Sequence, residues 1–102
     1  TAGRRATRGS VTAIWLPGDP PPRVAYAVGR SVGNAVTRNR VTRRLRAAVT
    51  DLEHTSFDPD GGASESLVGG AWLFRAGRDA SDRSYDGLRR DLQRAVHAAR
   101  LG

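Results

Sequence analysis

Residues 23–46 read RVAYAVGRSVGNAVTRNRVTRRLR, and the reading of this stretch decides the fold. Arg23 to Val28 alternates, with Val24, Tyr26 and Val28 on one face and Ala25 and Ala27 on the other, which predicts a strand. Gly29-Arg30-Ser31-Val32-Gly33-Asn34 interrupts it. A helix is predicted from about Asn34 to Glu53, with Asn34 as N-cap and Gly33 as a flexible approach. Val41, Leu45, Ala48 and Leu52 recur at helical spacing and form one apolar stripe. At about 100° per residue, Asn39, Arg40, Arg43 and Arg46 fall on the side away from that stripe. Arg44 flanks the stripe, and Arg38 lies nearer its edge. Asp51 and Glu53 sit unfavourably for the helix dipole at the C-terminal end, so this helix needs a sheet beneath it.

Working outward, Val11 to Leu16 is a second β-prone run, closed by the turn-forming cluster Pro17-Gly18-Asp19-Pro20-Pro21-Pro22. These two runs are expected to form an antiparallel pair. Residues 1–10 show no helical period. Thr55 to Ser66 reads as an acidic loop. Leu67 to Arg75 contains a third strand, with Trp72 and Phe74 on its core face. Ala76 to Asp82 reads as a connection. Ser84 is placed to cap a last helix whose apolar side is Tyr85, Leu88, Leu92, Ala95, Val96 and Ala99, with Gly102 following its end. The order strand, strand, helix, strand, helix gives one α+β domain over residues 1–102, two helices on a small sheet.

The chain has 102 residues, 38% apolar and 26% charged, with no cysteine. A disulfide scaffold and a thiolate metal site are thereby excluded. No apolar run approaches the roughly 18–20 residues of a membrane span. No signal peptide is visible, so a soluble cytoplasmic protein is expected, one whose natural chain begins before Thr1. The net charge of +7 is unevenly placed. All 17 basic residues are Arg, and seven of them lie between Pro20 and Thr50 without one carboxylate. Ten Arg face ten acidic residues elsewhere, so the excess sits in 31 residues of sequence. A concentrated basic block points to a polyanion.

Arg38-Asn39-Arg40, continued by Arg43, Arg44 and Arg46, reads as a comb of guanidiniums on a rigid helix, suited to RNA phosphates. The plainer alternative is a solvated helix face. Such faces usually mix signs, because like charges at i, i+3 and i+4 repel. The glycine-flanked turn before the helix, with Arg30 and Asn34, offers backbone N–H groups to a phosphate, although a tight turn alone explains it. Trp15 and Tyr26 are candidates for stacking unpaired bases, against the alternative that they are core. His54 and His97 lie on separate helices. No catalytic or metal-ligating constellation is evident, and Asp79, Asp82 and Asp86 fit capping better than two-metal catalysis.

The stretch from Arg23 to Arg46 resembles the signature of the bacterial ribonuclease P protein subunit: a strand, a basic pair, Val-Gly-Asn-Ala-Val, then Arg-Asn-Arg and a basic helix. Looser similarity covers Gly3-Arg4-Arg5, which looks like the end of the family's first helix and its turn. Ala71 to Ala76 looks like the family's last strand, and Ser84 to Leu92 like the opening of its last helix. The resemblance implies a fold like the second domain of ribosomal protein S5, with a left-handed βαβ crossover. It implies a family helix before Gly3, which is expected to be missing from this chain. It further implies an RNA subunit that removes the 5′ leader of precursor tRNA by Mg²⁺-dependent hydrolysis, the metal held mainly by that RNA. By position, Arg38, Asn39, Arg40, Arg43 and Arg46 would contact the catalytic RNA. Ile14 or Trp15, with Tyr26, would face a cleft for the leader. The family's usual Ser-Lys-Lys is here Gly29-Arg30-Ser31, and Thr42 stands at a usually basic position.

The expected function is therefore that of the ribonuclease P protein subunit. Its partners would be ribonuclease P RNA, one to one, and the precursor tRNA leader, with no membrane and no catalytic side chain of its own. A ribosomal-protein-like RNA binder without a role in cleavage is the alternative. A DNA-binding regulator is disfavoured, because no helix precedes the basic one in helix-turn-helix spacing.

Overall fold

The computed structural model describes residues 3–54 and 67–101. The alternation of Val11, Ala13 and Trp15 with Thr12, Ile14 and Leu16 builds a strand, β2 (Val11–Pro17). It is preceded by β1 (Arg4–Arg8) and followed by β3 (Arg23–Ala27), α1 (Ala35–His54), β4 (Gly70–Ala76) and α2 (Tyr85–Leu101). Single 3₁₀ turns at Arg30–Val32 and Arg78–Asp82 precede the two helices. The expected loop at Thr55–Ser66 and the closing Gly102 lie outside the described residues. The result is an α+β fold, a four-stranded mixed sheet carrying two helices.

Two expectations are corrected. Gly3-Arg4-Arg5 does not end a helix: Arg4–Arg8 is an edge strand, paired antiparallel with β2 from Arg4 opposite Trp15 to Arg8 opposite Val11. A two-residue turn, Gly9-Ser10, joins them, with Gly9 at φ +56. β2 and β3 are not paired either. The sheet order is β1-β2-β4-β3, with β4 antiparallel to β2 and parallel to β3. β4 thus lies between β2 and β3, and its core face carries Trp72 and Phe74. Its insertion depends on glycine where the proline-rich β2–β3 loop crosses its start. A Cβ at Gly69 would lie 2.6 Å from the Gly18 carbonyl oxygen. One at Gly70, where φ is +117, would lie 2.2 Å from the Leu16 carbonyl oxygen.

One sheet face is covered and the other open. Val11, Ala13, Trp72 and Phe74 are buried with Val41, Leu45, Ala48 and Leu52 of α1 and Leu88, Leu92, Ala95, Val96 and Ala99 of α2. Trp15 stacks on Trp72 (centroids 5.3 Å apart), Trp72 on Phe74 (5.8 Å), and Phe74 meets Tyr26 (6.2 Å). This aromatic row ties β2, β4 and β3 together. The indole N–H groups of Trp15 and Trp72 donate to the carbonyls of Gly69 and Val68, both at 3.0 Å.

Among the described residues the buried charge is Asp91, only 3% exposed. Its carboxylate accepts from the backbone N–H of Ser10 (3.0 Å), the Ser10 hydroxyl (2.9 Å) and Nε and Nη2 of Arg83 (3.0 and 2.9 Å). It thereby clamps the β1–β2 turn to α2. A Cβ at Gly9 would meet that carboxylate at 2.4 Å, so glycine is required there by space as well as by φ. Burial disfavours ionisation of Asp91, but the Ser10 N–H, the Arg83 guanidinium and the Ser10 hydroxyl outweigh it and hold the group below its ordinary range. A folded pKa below the unfolded one means that the stabilisation is complete above the unfolded value. It is lost as pH falls through the folded value.

Asp91→Ala strands two buried Ser10 donors and should cost on the order of 2–3 kcal/mol in a denaturant titration. Asp91→Asn should flatten the acid limb of a stability–pH curve below about pH 4.

Candidate nucleic-acid interface

The start of α1 is built by three local devices. Val32 is buried and pins the 3₁₀ turn, and Gly33 takes φ +151, where a Cβ would press on Thr37 at 2.9 Å. The Asn34 side-chain oxygen accepts from the Thr37 N–H at 2.9 Å, so this oxygen is committed to the cap. Arg30 and Asn34 are exposed beside the turn.

Burial of Val41, Leu45, Ala48 and Leu52 then fixes the rotation of α1. Asn39, Arg40, Arg43 and Arg46 are exposed, as the spacing predicts. Arg38 and Arg44 are half-buried. Arg44 donates from Nη1 to the Arg83 carbonyl at 3.3 Å and so links α1 to the approach of α2. Arg38 has its Nε buried without a hydrogen-bond partner. Val36, Asn39, Thr42, Arg43 and Arg46 line an open depression of about 480 Å³. Thr42 donates its hydroxyl to the Arg38 carbonyl at 2.9 Å. The first turn of α1 carries no acid. Among the described residues the ion pairs are Arg83–Asp91 at 2.9 Å and Arg89–Asp86 at 3.7 Å, and neither involves an α1 arginine.

The strand candidates divide between the two sheet faces. Trp15 lies on the helix side, stacked on Trp72, with the Arg4 guanidinium 5.5 Å from its ring centroid. Tyr26 is also on the helix side, and the Arg46 guanidinium lies 5.7 Å from its ring centroid. Burial raises the Tyr26 pKa, Arg46 opposes the rise, and Glu53 adds to it, so the phenol stays protonated. Ile14 points to the open face, opposite Leu73 on β4 and Arg5 on β1. Arg23 and Arg75, opposite Ala71 and Thr12, share that face. Arg5, Arg23 and Arg75 carry no local sequence signal that groups them. The sheet order that groups them is formed by non-local pairing, and no local pattern carries it.

Among the described residues no three His, Cys, Asp or Glu side chains gather to hold a metal ion. None of the described helices is long and apolar enough to cross a membrane.

The family model described as Ribonuclease P matches residues 1–100. A ribonuclease P protein component of a Nocardioides species is 42% identical over 99 residues, covering 92% of this chain and 75% of that protein. One from Kocuria rhizophila is 33% identical over 99 residues, covering 97% and 79%. One from Clavibacter michiganensis is 47% identical over 55 residues, covering 52% and 49%. The structure of the Staphylococcus aureus RNase P protein superposes with a TM-score of 0.76 at 18% identity, covering 97% of this chain and 83% of that one. The Thermotoga maritima RNase P protein gives 0.71 at 15%, covering 94% and 83%. At these identities the structural likeness establishes the fold.

The geometry separates two kinds of arginine on α1. Arg40→Ala and Arg43→Ala should each weaken RNA binding by roughly 1–2 kcal/mol, the loss of a charge-assisted contact, with melting temperature unchanged. Arg44→Ala should instead lower the melting temperature by a few degrees, since about 0.5–1 kcal/mol of hydrogen bonding is lost. Filter binding and calorimetry on the same three variants check both expectations.

Proposed function

The chain belongs to the ribonuclease P protein family, and we propose that it acts as the protein subunit of ribonuclease P, binding the catalytic RNA through α1 and the 5′ leader of precursor tRNA on the sheet. The observation that carries this reading is the outer edge of α1. Asn39, Arg40, Arg43 and Arg46 are exposed on one rigid element, and no ion pair with a described acid engages those arginines. Guanidinium forks meet phosphate oxygens in pairs, and a helix that is already ordered loses little further entropy on docking. Arg38, half-buried at the base of the comb, extends the same charge toward the turn that holds Arg30 and Asn34.

The open sheet face is the proposed leader platform. Ile14 and Leu73 give it an apolar centre, and Arg5, Arg23 and Arg75 stand around them. Unpaired bases pack on such a centre while arginines take the phosphates. Ile14 is thus the leader contact we retain. Trp15 and Tyr26 are spoken for by the core row and its two cations.

In this reading no hydrolytic step is assigned to the protein's own side chains. Mg²⁺, held by the RNA in this reading, supplies activation of the attacking water and charge stabilisation at the phosphate. What the protein does is bind, orient and neutralise, in a one-to-one complex with the RNA in the cytoplasm.

Adding the chain to its cognate ribonuclease P RNA at low Mg²⁺ should restore removal of the leader from precursor tRNA. RNA binding without rescue would support an RNA-binding module with no role in cleavage. Cleavage by the chain without RNA would contradict the assignment of chemistry to the RNA.

A further inference from the structure

Outside Pro20–Thr50 the chain carries ten Arg and ten acids. Along the sequence the two signs are unevenly placed. Five of those acids (Asp51, Glu53, Asp58, Asp60 and Glu65) lie in one stretch of sequence, from the end of α1 onward. The first ten residues hold three Arg and no acid. α2 adds Arg90 and Arg94, both exposed, one turn apart. Its two acids are both engaged, Asp86 by Arg89 and Asp91 by Arg83. Asp79 and Asp82 lie on the 3₁₀ turn, which carries Arg78 of its own.

β1 runs along α2. Arg4 donates from Nη1 to the Arg100 carbonyl at 3.0 Å at one end, and Ser10 is bound to Asp91 at the other. Arg8, next to the Gly9-Ser10 turn, is therefore brought to the part of α2 where Arg90 and Arg94 flank Asp91. Arg4 and Arg8 both lie on the helix side of β1, about 13 Å apart along the strand. All four arginines are exposed. β1 and β3 form opposite edges of the sheet, so this seam is remote from β3.

We propose that the β1–α2 seam, through Arg8, Arg90 and Arg94, is a second RNA-binding edge that holds a stretch of phosphate backbone distinct from the one on α1. The proposal rests on the α1 reading in one respect: both edges serve the same RNA complex. Arginines on an edge strand also block strand-to-strand aggregation. That role accounts for β1 alone and gives no reason for Arg90 and Arg94 on the adjoining helix.

The test compares Arg8→Gln/Arg90→Gln/Arg94→Gln with the corresponding triple Lys variant and with Arg40→Ala/Arg43→Ala. Each binds the ribonuclease P RNA encoded in the same genome across a salt series. The Gln triple should lower the slope of log K against log salt by about 2 and weaken binding at least tenfold, since three phosphate contacts are lost. The Lys triple should keep a slope near that of the unmodified chain. An unchanged slope in the Gln triple, while the α1 variant loses affinity, would overturn the seam and leave the α1 reading standing. No loss in either would overturn both. Should circular dichroism show the Gln triple unfolded, Arg94→Gln alone carries the same test with a slope change near 1.

Discussion

The protein's chemistry follows from a constraint on one helix. α1 has a single narrow apolar stripe, Val41, Leu45, Ala48 and Leu52, and burying it leaves no freedom of rotation. Every other position on the helix is then fixed. Asn39, Arg40, Arg43 and Arg46 must face water, the first turn of the helix carries no acid, and no ion pair joins these arginines to a described acid. Like charges at these spacings cost a few tenths of a kcal/mol each. The helix bears that cost because its stability comes from the sheet and from α2. Tyr85 donates to Asp51, joining the two helices, and burial and that carboxylate raise the Tyr85 pKa to about 12.

Arginine serves two ends here. Arg83 neutralises the buried Asp91, Arg44 bridges α1 to the start of α2, and Arg4 lies against Trp15. These hold the fold. Arg40 and Arg43 touch no described acid and no aromatic ring, and they remain available to a partner. Arg46 belongs to both groups, one cation at the end of the aromatic row over Tyr26 and at the same time part of the exposed comb. Arg4 over Trp15 closes the opposite end of that row. Each of these contacts is worth about 0.5–1 kcal/mol at exposed sites, enough to orient a guanidinium without immobilising it.

What could be read in advance was what local pattern encodes. The 3.6-residue period of α1 and α2, the Asn34 and Ser84 caps and the alternation in β2, β3 and β4 all act within a few residues, and each is present in the fold. β1 was not legible, because an edge strand made of Arg4, Arg5, Thr7 and Arg8 has only Ala6 to contribute to the core. The insertion of β4 between β2 and β3 was not legible either. It depends on Gly69 and Gly70 passing beneath the proline loop, some fifty residues away in sequence. Asp91 sat unnoticed within the apolar side of α2, since its partners Ser10 and Arg83 converge only in three dimensions. The candidate site divides in the same way: the exposure of Asn39, Arg40, Arg43 and Arg46 follows from local spacing, whereas the grouping of Arg5, Arg23 and Arg75 around Ile14 depends on sheet order.

The most direct measurement is arginine modification with a dicarbonyl reagent, resolved by peptide mass spectrometry, on the free chain and on its complex with ribonuclease P RNA. Arg40, Arg43 and Arg46 should react readily in the free chain and become protected in the complex, while Arg78 stays reactive in both. Equal reactivity of the three α1 arginines with and without RNA, in a complex shown to be formed, would contradict the account.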